Sequence, residues 1–304
     1  MSKKDQDLQI DEESLLSLFA ESLEEQFSDL EEMNPFLNSL SSMEDRYTEP
    51  QLLASGGMKK VSCVYDRKTG RQVALAELHD DMAVEIFEPF LLEAKLTALL
   101  EHPNIITVHD IGLSYEQKPY FTMELKVGDS LAEILQQLKE KKSTYVDKFP
   151  LRELLNIFLK VCDAMSYAHS QSVLHLDLKP SNIQIGPFGE VLVCDWGLGK
   201  VLGNKIFDDY QELSLNPDFL NDITLTGDMK GTPGFMAPEQ IKDKYEKTEQ
   251  TDIYALGAIL FNILSLNVPL SGELDEILQK TLDGSIPSPQ DLSEKTLPKS
   301  LVAV

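Results

Sequence analysis

Apolar residues between positions 8 and 40 recur at spacings of three and four: Leu15, Leu18, Phe19, Leu23, Phe27 and Leu30. That period predicts an amphipathic helix, which Asn34-Pro35 interrupts. The Ser/Glu-rich stretch 38–49 reads as a linker. From about residue 50 the pattern turns to strands. Val61–Tyr65 and Gln72–Ala76 flank Asp66-Arg67-Lys68-Thr69-Gly70, a hairpin-turn composition. A helical segment follows from Phe87 to Leu100, ending at His102-Pro103-Asn104, and two further strands are expected around 105–113 and 119–125. Beyond about 130 the period becomes helical, most strongly over 151–170. The run Ala255 to Leu264 is the most apolar. It is shorter than the ~20 residues that span a bilayer, so it predicts a buried helix. A β-rich part followed by an α-rich part gives an α+β chain.

Composition narrows the partners. The chain has 304 residues, 42% hydrophobic and 26% charged, which fits a soluble globular protein with a substantial core. A net charge of −24 repels nucleic acid and anionic membrane, so neither is an expected partner. Residues 1–50 hold fourteen acids against three bases. This segment reads as a short helix packed on its own domain or a loosely ordered tail, with a docking helix for a partner as the alternative. The start, Met1-Ser2-Lys3-Lys4-Asp5, leads into acids rather than an apolar core, so no signal peptide and a cytoplasmic location are expected. Cys63, Cys162 and Cys194 show no metal-ligand spacing and read as reduced thiols, Cys194 as a buried inert one.

The candidate chemistry lies in His175-Leu176-Asp177-Leu178-Lys179-Pro180-Ser181-Asn182. An acid, a lysine and an amide at this spacing suit phosphoryl transfer. The run resembles the catalytic loop of protein kinases, in its serine/threonine form. Other motifs come in family order: Asp195-Trp196-Gly197 for Asp-Phe-Gly, Gly231 to Glu239 for the end of the activation segment, and Asp252 for the aspartate that anchors the loop. Upstream, Glu93 matches the helix glutamate that pairs with the ATP-binding lysine, and Met123-Glu124-Leu125-Lys126 matches the hinge. The resemblance spans roughly residues 50–304. It implies a bilobal fold with an extension at 1–47, an N-lobe at 48–125 and a C-lobe at 126–304. It also implies ATP, Mg²⁺ and protein substrates. Asp177 and Lys179 would be catalytic, and Asn182 and Asp195 would hold metal. Gly56, Val61, Ala74, Met123, Glu124 and Leu125 would surround the nucleotide. Thr232 would contact the catalytic loop, and Thr224 and Thr226 are candidate autophosphorylation sites.

Two departures matter. Leu176 replaces the arginine that grips a phosphorylated activation loop. Where the family carries Val-Ala-Ile-Lys, this chain reads Val73-Ala74-Leu75-Ala76, and its glycine loop reads Ala54-Ser55-Gly56-Gly57-Met58-Lys59-Lys60-Val61. If Val61 and Ala74 share a face, strand alternation puts Lys59 on that face too, opposite Ala76, with Lys60 turned away. This is similar to the with-no-lysine kinases, including the Glu77-Leu78 that follows the vacated site. The expectation is a serine/threonine kinase of bacterial style with Lys59 in the lysine's role. The alternative is a pseudokinase or kinase-like scaffold. Set against the family pattern, the C-lobe reads as short of helices, Glu239 lacks its usual arginine partner, and residues 285–304 are expected to expose apolar surface.

Overall fold

The computed structural model describes residues 46–114, 116–202, 232–242, 245–294 and 296–302. The acidic segment 8–40, the linker up to residue 45, and Thr224, Thr226 and Gly231 lie outside the described residues. The chain divides into two compact units, residues 1–51 with 63–73 and residues 52–62 with 74–304. In the first, Arg46 donates from Nε and Nη2 to the two carboxylate oxygens of Asp66, at 3.2 and 3.0 Å. Asp66 also accepts from the backbone N–H of Lys68 at the start of the hairpin turn.

Five strands form the larger sheet: β1 (Gln51–Ser55), β2 (Lys59–Asp66), β3 (Arg71–Leu78), β4 (Val108–Leu113) and β5 (Pro119–Met123), in the order β1-β2-β3-β5-β4. Helix α1 (Phe87–Leu99) supplies the cover for one face. Ala76, Leu78, Phe90, Ala94 and Phe121 form a small core there, with Val61 and Met123 packed against it. β3 and β5 are antiparallel, with Ala74 across from Met123 and Ala76 across from Phe121.

The hairpin register refines the sequence reading. β2 and β3 are eight residues each, and the His79 N–H closes their open end on the Met58 carbonyl at 3.1 Å. Lys59 therefore faces Leu78 directly, and Ala76 faces Val61. Lys59 keeps the expected face, but it sits one cross-strand pair further along than an opposition to Ala76 requires. Lys60 turns to the other face, 3.8 Å from Glu77.

The helical part begins with β6 (Asp129–Ser130), α2 (Leu131–Lys139) and α3 (Ser143–Lys148). Ser130 and Glu133 satisfy each other's backbone N–H at the start of α2, a capping box. α4 (Leu151–Ser170) buries Leu154, Ile157, Val161, Ala164, Met165 and Ala168, the face its period predicts. β7 (Val173–Leu174) leads into the candidate catalytic loop. β8 (Ile183–Ile185) and β9 (Val191–Val193) form the expected strand-turn-strand, and β10 (Lys200–Val201) returns to pair with β7.

α5 (Pro238–Ile241) precedes α6 (Glu249–Ser265), which is buried along most of its length, as its composition predicts. α7 (Leu274–Asp283), α8 (Pro289–Leu292) and α9 (Lys299–Val302) complete the order. The expectation of apolar exposure after residue 285 holds only in part. Leu297 is buried against Leu260 and Leu264, with Leu301 and Val302 packed beside them. Ile286 and Leu292 stay exposed. Glu239 has a partner of another kind, the Thr251 hydroxyl, which donates to it at 2.7 Å.

Gly128 joins the strand β5 region to β6 with φ +109°, and an added Cβ would collide with the Ile185 carbonyl oxygen. Gly57 has open space around it. Gly128→Ala should lower unfolding free energy by about 2–4 kcal/mol through left-handed strain and overpacking. Gly57→Ala should stay within about 0.5 kcal/mol. Urea denaturation of the two variants checks both.

Candidate active site

The catalytic loop is fixed from beneath by one buried carboxylate. Asp252, near the start of α6, accepts the N–H of His175 at Oδ2 and that of Leu176 at Oδ1, both at 2.9 Å. The His169 imidazole lies 2.9 Å from the same Oδ2. Leu176 sits at φ +64°, a conformation a leucine rarely adopts unless its surroundings impose it. Its carbonyl accepts from Gln240 Nε2 at 2.7 Å. Gln240 Oε1 also accepts the Ala237 N–H at 3.0 Å, so one amide caps α5 and holds the catalytic loop.

On that support, Asp177 and Lys179 turn to one side. Lys179 Nζ lies 2.7 Å from Asp177 Oδ2 and donates to the Thr232 hydroxyl at 2.8 Å. Thr232 in turn donates to Asp177 Oδ1 at 3.1 Å. The resemblance anticipated this contact of Thr232 with the loop. Asn182 Nδ2 donates to the Asp177 carbonyl at 2.9 Å, which leaves its Oδ1 as the atom able to face a cation.

A second cluster gathers Lys59, Glu93 and Asp195. Lys59 Nζ ion-pairs with Glu93 Oε1 of α1 and lies 3.5 Å from Asp195 Oδ1. Burial works against the ammonium, but the charges of Glu93 and Asp195 outweigh it and raise the Lys59 pKa. Burial pushes the Glu93 carboxyl up, against the pull of Lys59. Burial also opposes ionisation of Asp195, yet Lys59, followed by His175, Lys126 and Lys179, holds it below the usual carboxylate range. The Asp195 side chain remains 46% exposed, open to a ligand.

The two clusters are tied together by backbone. Cys194 N–H donates to the Asn182 carbonyl at 2.9 Å, and Ile183 pairs with Val193. His175 reaches the Cys194 carbonyl at 3.2 Å, and its ring packs against Trp196 at 4.6 Å between centroids. Trp196 is buried, an apolar plug as its place after Asp195 predicts, though its indole N–H has no hydrogen-bond partner among the described residues.

The oxygens of Asn182 and Asp195 are hard donors of the kind Mg²⁺ prefers when substrate phosphates supply further ligands. Among the described residues no group of three or more His, Cys, Asp or Glu side chains is placed to hold a metal ion. At the hinge, the Glu124 N–H is already committed to the Thr107 carbonyl at 2.9 Å. Its carbonyl, followed by the partly buried Leu125, is what it can offer a ligand. Val61 and Met123 pack on the small core of the sheet, and Ala74 is buried on β3 across from Met123. The sequence reading gave no role to Gln240. Its position three residues into a short helix after Ala-Pro-Glu was the available signal, because a glutamine there reaches back to the cap.

Cys194 is 1% exposed, and burial pushes its thiol up to about 11. It should resist iodoacetamide near neutral pH in the folded protein and react only after denaturation. Peptide mass spectrometry of the two samples checks this.

Residues 47–300 match the protein kinase domain family model. The chain is 39% identical over 242 residues to the serine/threonine-protein kinase PknD of Protochlamydia amoebophila, covering 76% of this chain and 24% of that protein. The PknD of Chlamydia pneumoniae is 34% identical over 269 residues, 86% of this chain and 28% of its own length. That of Chlamydia trachomatis serovar D is 37% identical over 241 residues, 74% of this chain and 25% of its own. The chain thus spans about a quarter of the length of these curated relatives. No described helix is long and apolar enough to cross a membrane. A kinase-family match over most of the chain, on a fold that assembles the motifs in family order, makes this chain a member of the protein kinase family.

Proposed function

We propose that this chain transfers the γ-phosphoryl group of ATP to serine or threonine hydroxyls of protein substrates, with the lobe boundary at residues 125/126. The observation that carries the reading is the ion-paired Lys59, Glu93 and Asp195 cluster, backbone-tied to the Asp177, Lys179 and Thr232 cluster. Phosphoryl transfer asks mainly for positioning and for positive charge near the moving group.

In this reading Lys59, steadied by Glu93, holds the ATP phosphates in place of the lysine missing at Ala76. The Gly56 backbone approaches the phosphates. Val61, Ala74 and Met123 bound the adenine, and the Glu124 carbonyl and Leu125 backbone meet its polar edge. Asn182 and Asp195 would hold Mg²⁺, which would supply positive charge to the phosphate groups. Asp177 accepts the hydrogen bond of the substrate hydroxyl and takes its proton as the new ester forms. Lys179 moves from Asp177 towards the transferred group. Thr232, bonded to both, sets where the hydroxyl enters. The acidic segment 8–40 would add a docking element for a partner protein.

Ala76 keeps a second reading open, a nucleotide-binding pseudokinase, and one assay separates the two. Radiolabelled phosphate transfer from Mg-ATP is measured for wild type, Lys59→Met, Lys60→Met and Asp177→Asn. Lys59→Met should lose about 100-fold or more of activity, the scale of removing one essential charge contact. Asp177→Asn should lose about 10²–10⁴-fold. Lys60→Met, which removes a charge 3.8 Å from Glu77 on the other face, should stay within about twofold. Equal loss in both lysine variants overturns the role given to Lys59. Nucleotide binding by the wild type with no transfer favours the pseudokinase.

A further inference from the structure

The nucleotide lysine of an ordinary kinase sits inside a strand, where the ladder fixes it. Here the corresponding charge stands at the first residue of β2, directly after the glycine loop. Any drift of the loop therefore moves the ammonium away from Glu93 and Asp195. The loop's own bracing is slight: the Gly56 N–H donates to the Lys59 carbonyl at 2.9 Å. Neither Gly56 nor Gly57 has a positive φ or a close neighbour that would lock it.

One residue outside the loop holds it at two points. His79 comes directly after the last residue of β3. Its backbone N–H donates to the Met58 carbonyl at 3.1 Å, and its ring Nε2 lies 2.8 Å from the Gly56 carbonyl. A carbonyl only accepts, so the ring must carry its proton on Nε2. The ring bond spans from the end of β3 to the part of the loop expected to approach phosphate. The backbone bond needs no particular side chain, whereas the ring bond does.

We propose that His79 is a positioning residue that latches the glycine loop and so holds Lys59 in its phosphate-binding place. The proposal rests on the role given to Lys59 above. His79 itself touches no nucleotide. It acts through the loop, and its effect should vanish when Lys59 is no longer a lysine.

The experiment is a double-mutant cycle on the full chain, read as affinity for a fluorescent ATP analogue with Mg²⁺ and as steady-state ATP kinetics. His79→Ala should weaken nucleotide binding about three- to tenfold, the size of one hydrogen bond. It should raise KM for ATP more than it lowers kcat. His79→Gln, whose amide can still donate, should recover most of the loss. Lys59→Met/His79→Ala should bind no more weakly than Lys59→Met alone. Losses that add in the double variant, or no loss in His79→Ala, overturn the latch. A Lys59→Met variant with unchanged binding overturns the role of Lys59 instead, so the two failures are distinct. A His79→Ala protein that melts lower yet keeps its ATP KM assigns His79 a structural role only, and also overturns the proposal.

Discussion

The catalytic loop depends on the Asp252 carboxylate. It is buried, and it takes two consecutive backbone N–H groups, those of His175 and Leu176. Those two bonds stabilise Leu176 in a left-handed conformation that would otherwise cost of order 1–3 kcal/mol. With the peptide turned that way, Asp177 and Lys179 share one side of the loop and meet Thr232. An anionic anchor suits the task, because hydrogen bonds to a charged acceptor are among the stronger ones in a protein. His169 beside it supplies a further polar partner, so the carboxylate is not left unsatisfied in the core.

Leu176 shows how the catalytic loop is coupled to residues 232–240 without the family's usual arginine. The link from the activation-segment end runs through the Leu176 backbone carbonyl, gripped by Gln240, and through Thr232 on Asp177. Glu239, with no arginine partner among the described residues, takes the Thr251 hydroxyl next to Asp252. These neutral donors bond at 2.7 Å from Gln240 and Thr251 and at 3.1 Å from Thr232, all partly buried, where the low local dielectric strengthens them.

Much of this was legible in the chain. The 151–170 period located the longest helix, and the turn at Asp66–Gly70 located the hairpin. The ordered motifs singled out Asp177, Lys179, Asn182, Asp195, Glu93 and Asp252 as candidates. The hairpin register was not legible. Side chains alternate with period two, so a slip of two residues leaves every residue on its expected face. Alternation therefore placed Lys59 on the Val61 and Ala76 face correctly. It could not tell Leu78 from Ala76 as the direct partner. Only the backbone bond from His79 to Met58 decides that.

The sequence by itself determined the residue types, their order and the faces they present, because those arise from local period and spacing. It determined that position 76 is an alanine and that Lys59 stands two residues before Val61. Tertiary structure decided which groups meet. Lys59 and Glu93 are 34 residues apart, Asp177 and Thr232 are 55, and Leu176 and Gln240 are 64. Such contacts carry no local signature, since hydrogen bonds and ion pairs act over a few ångströms and the chain's path alone brings their partners within reach.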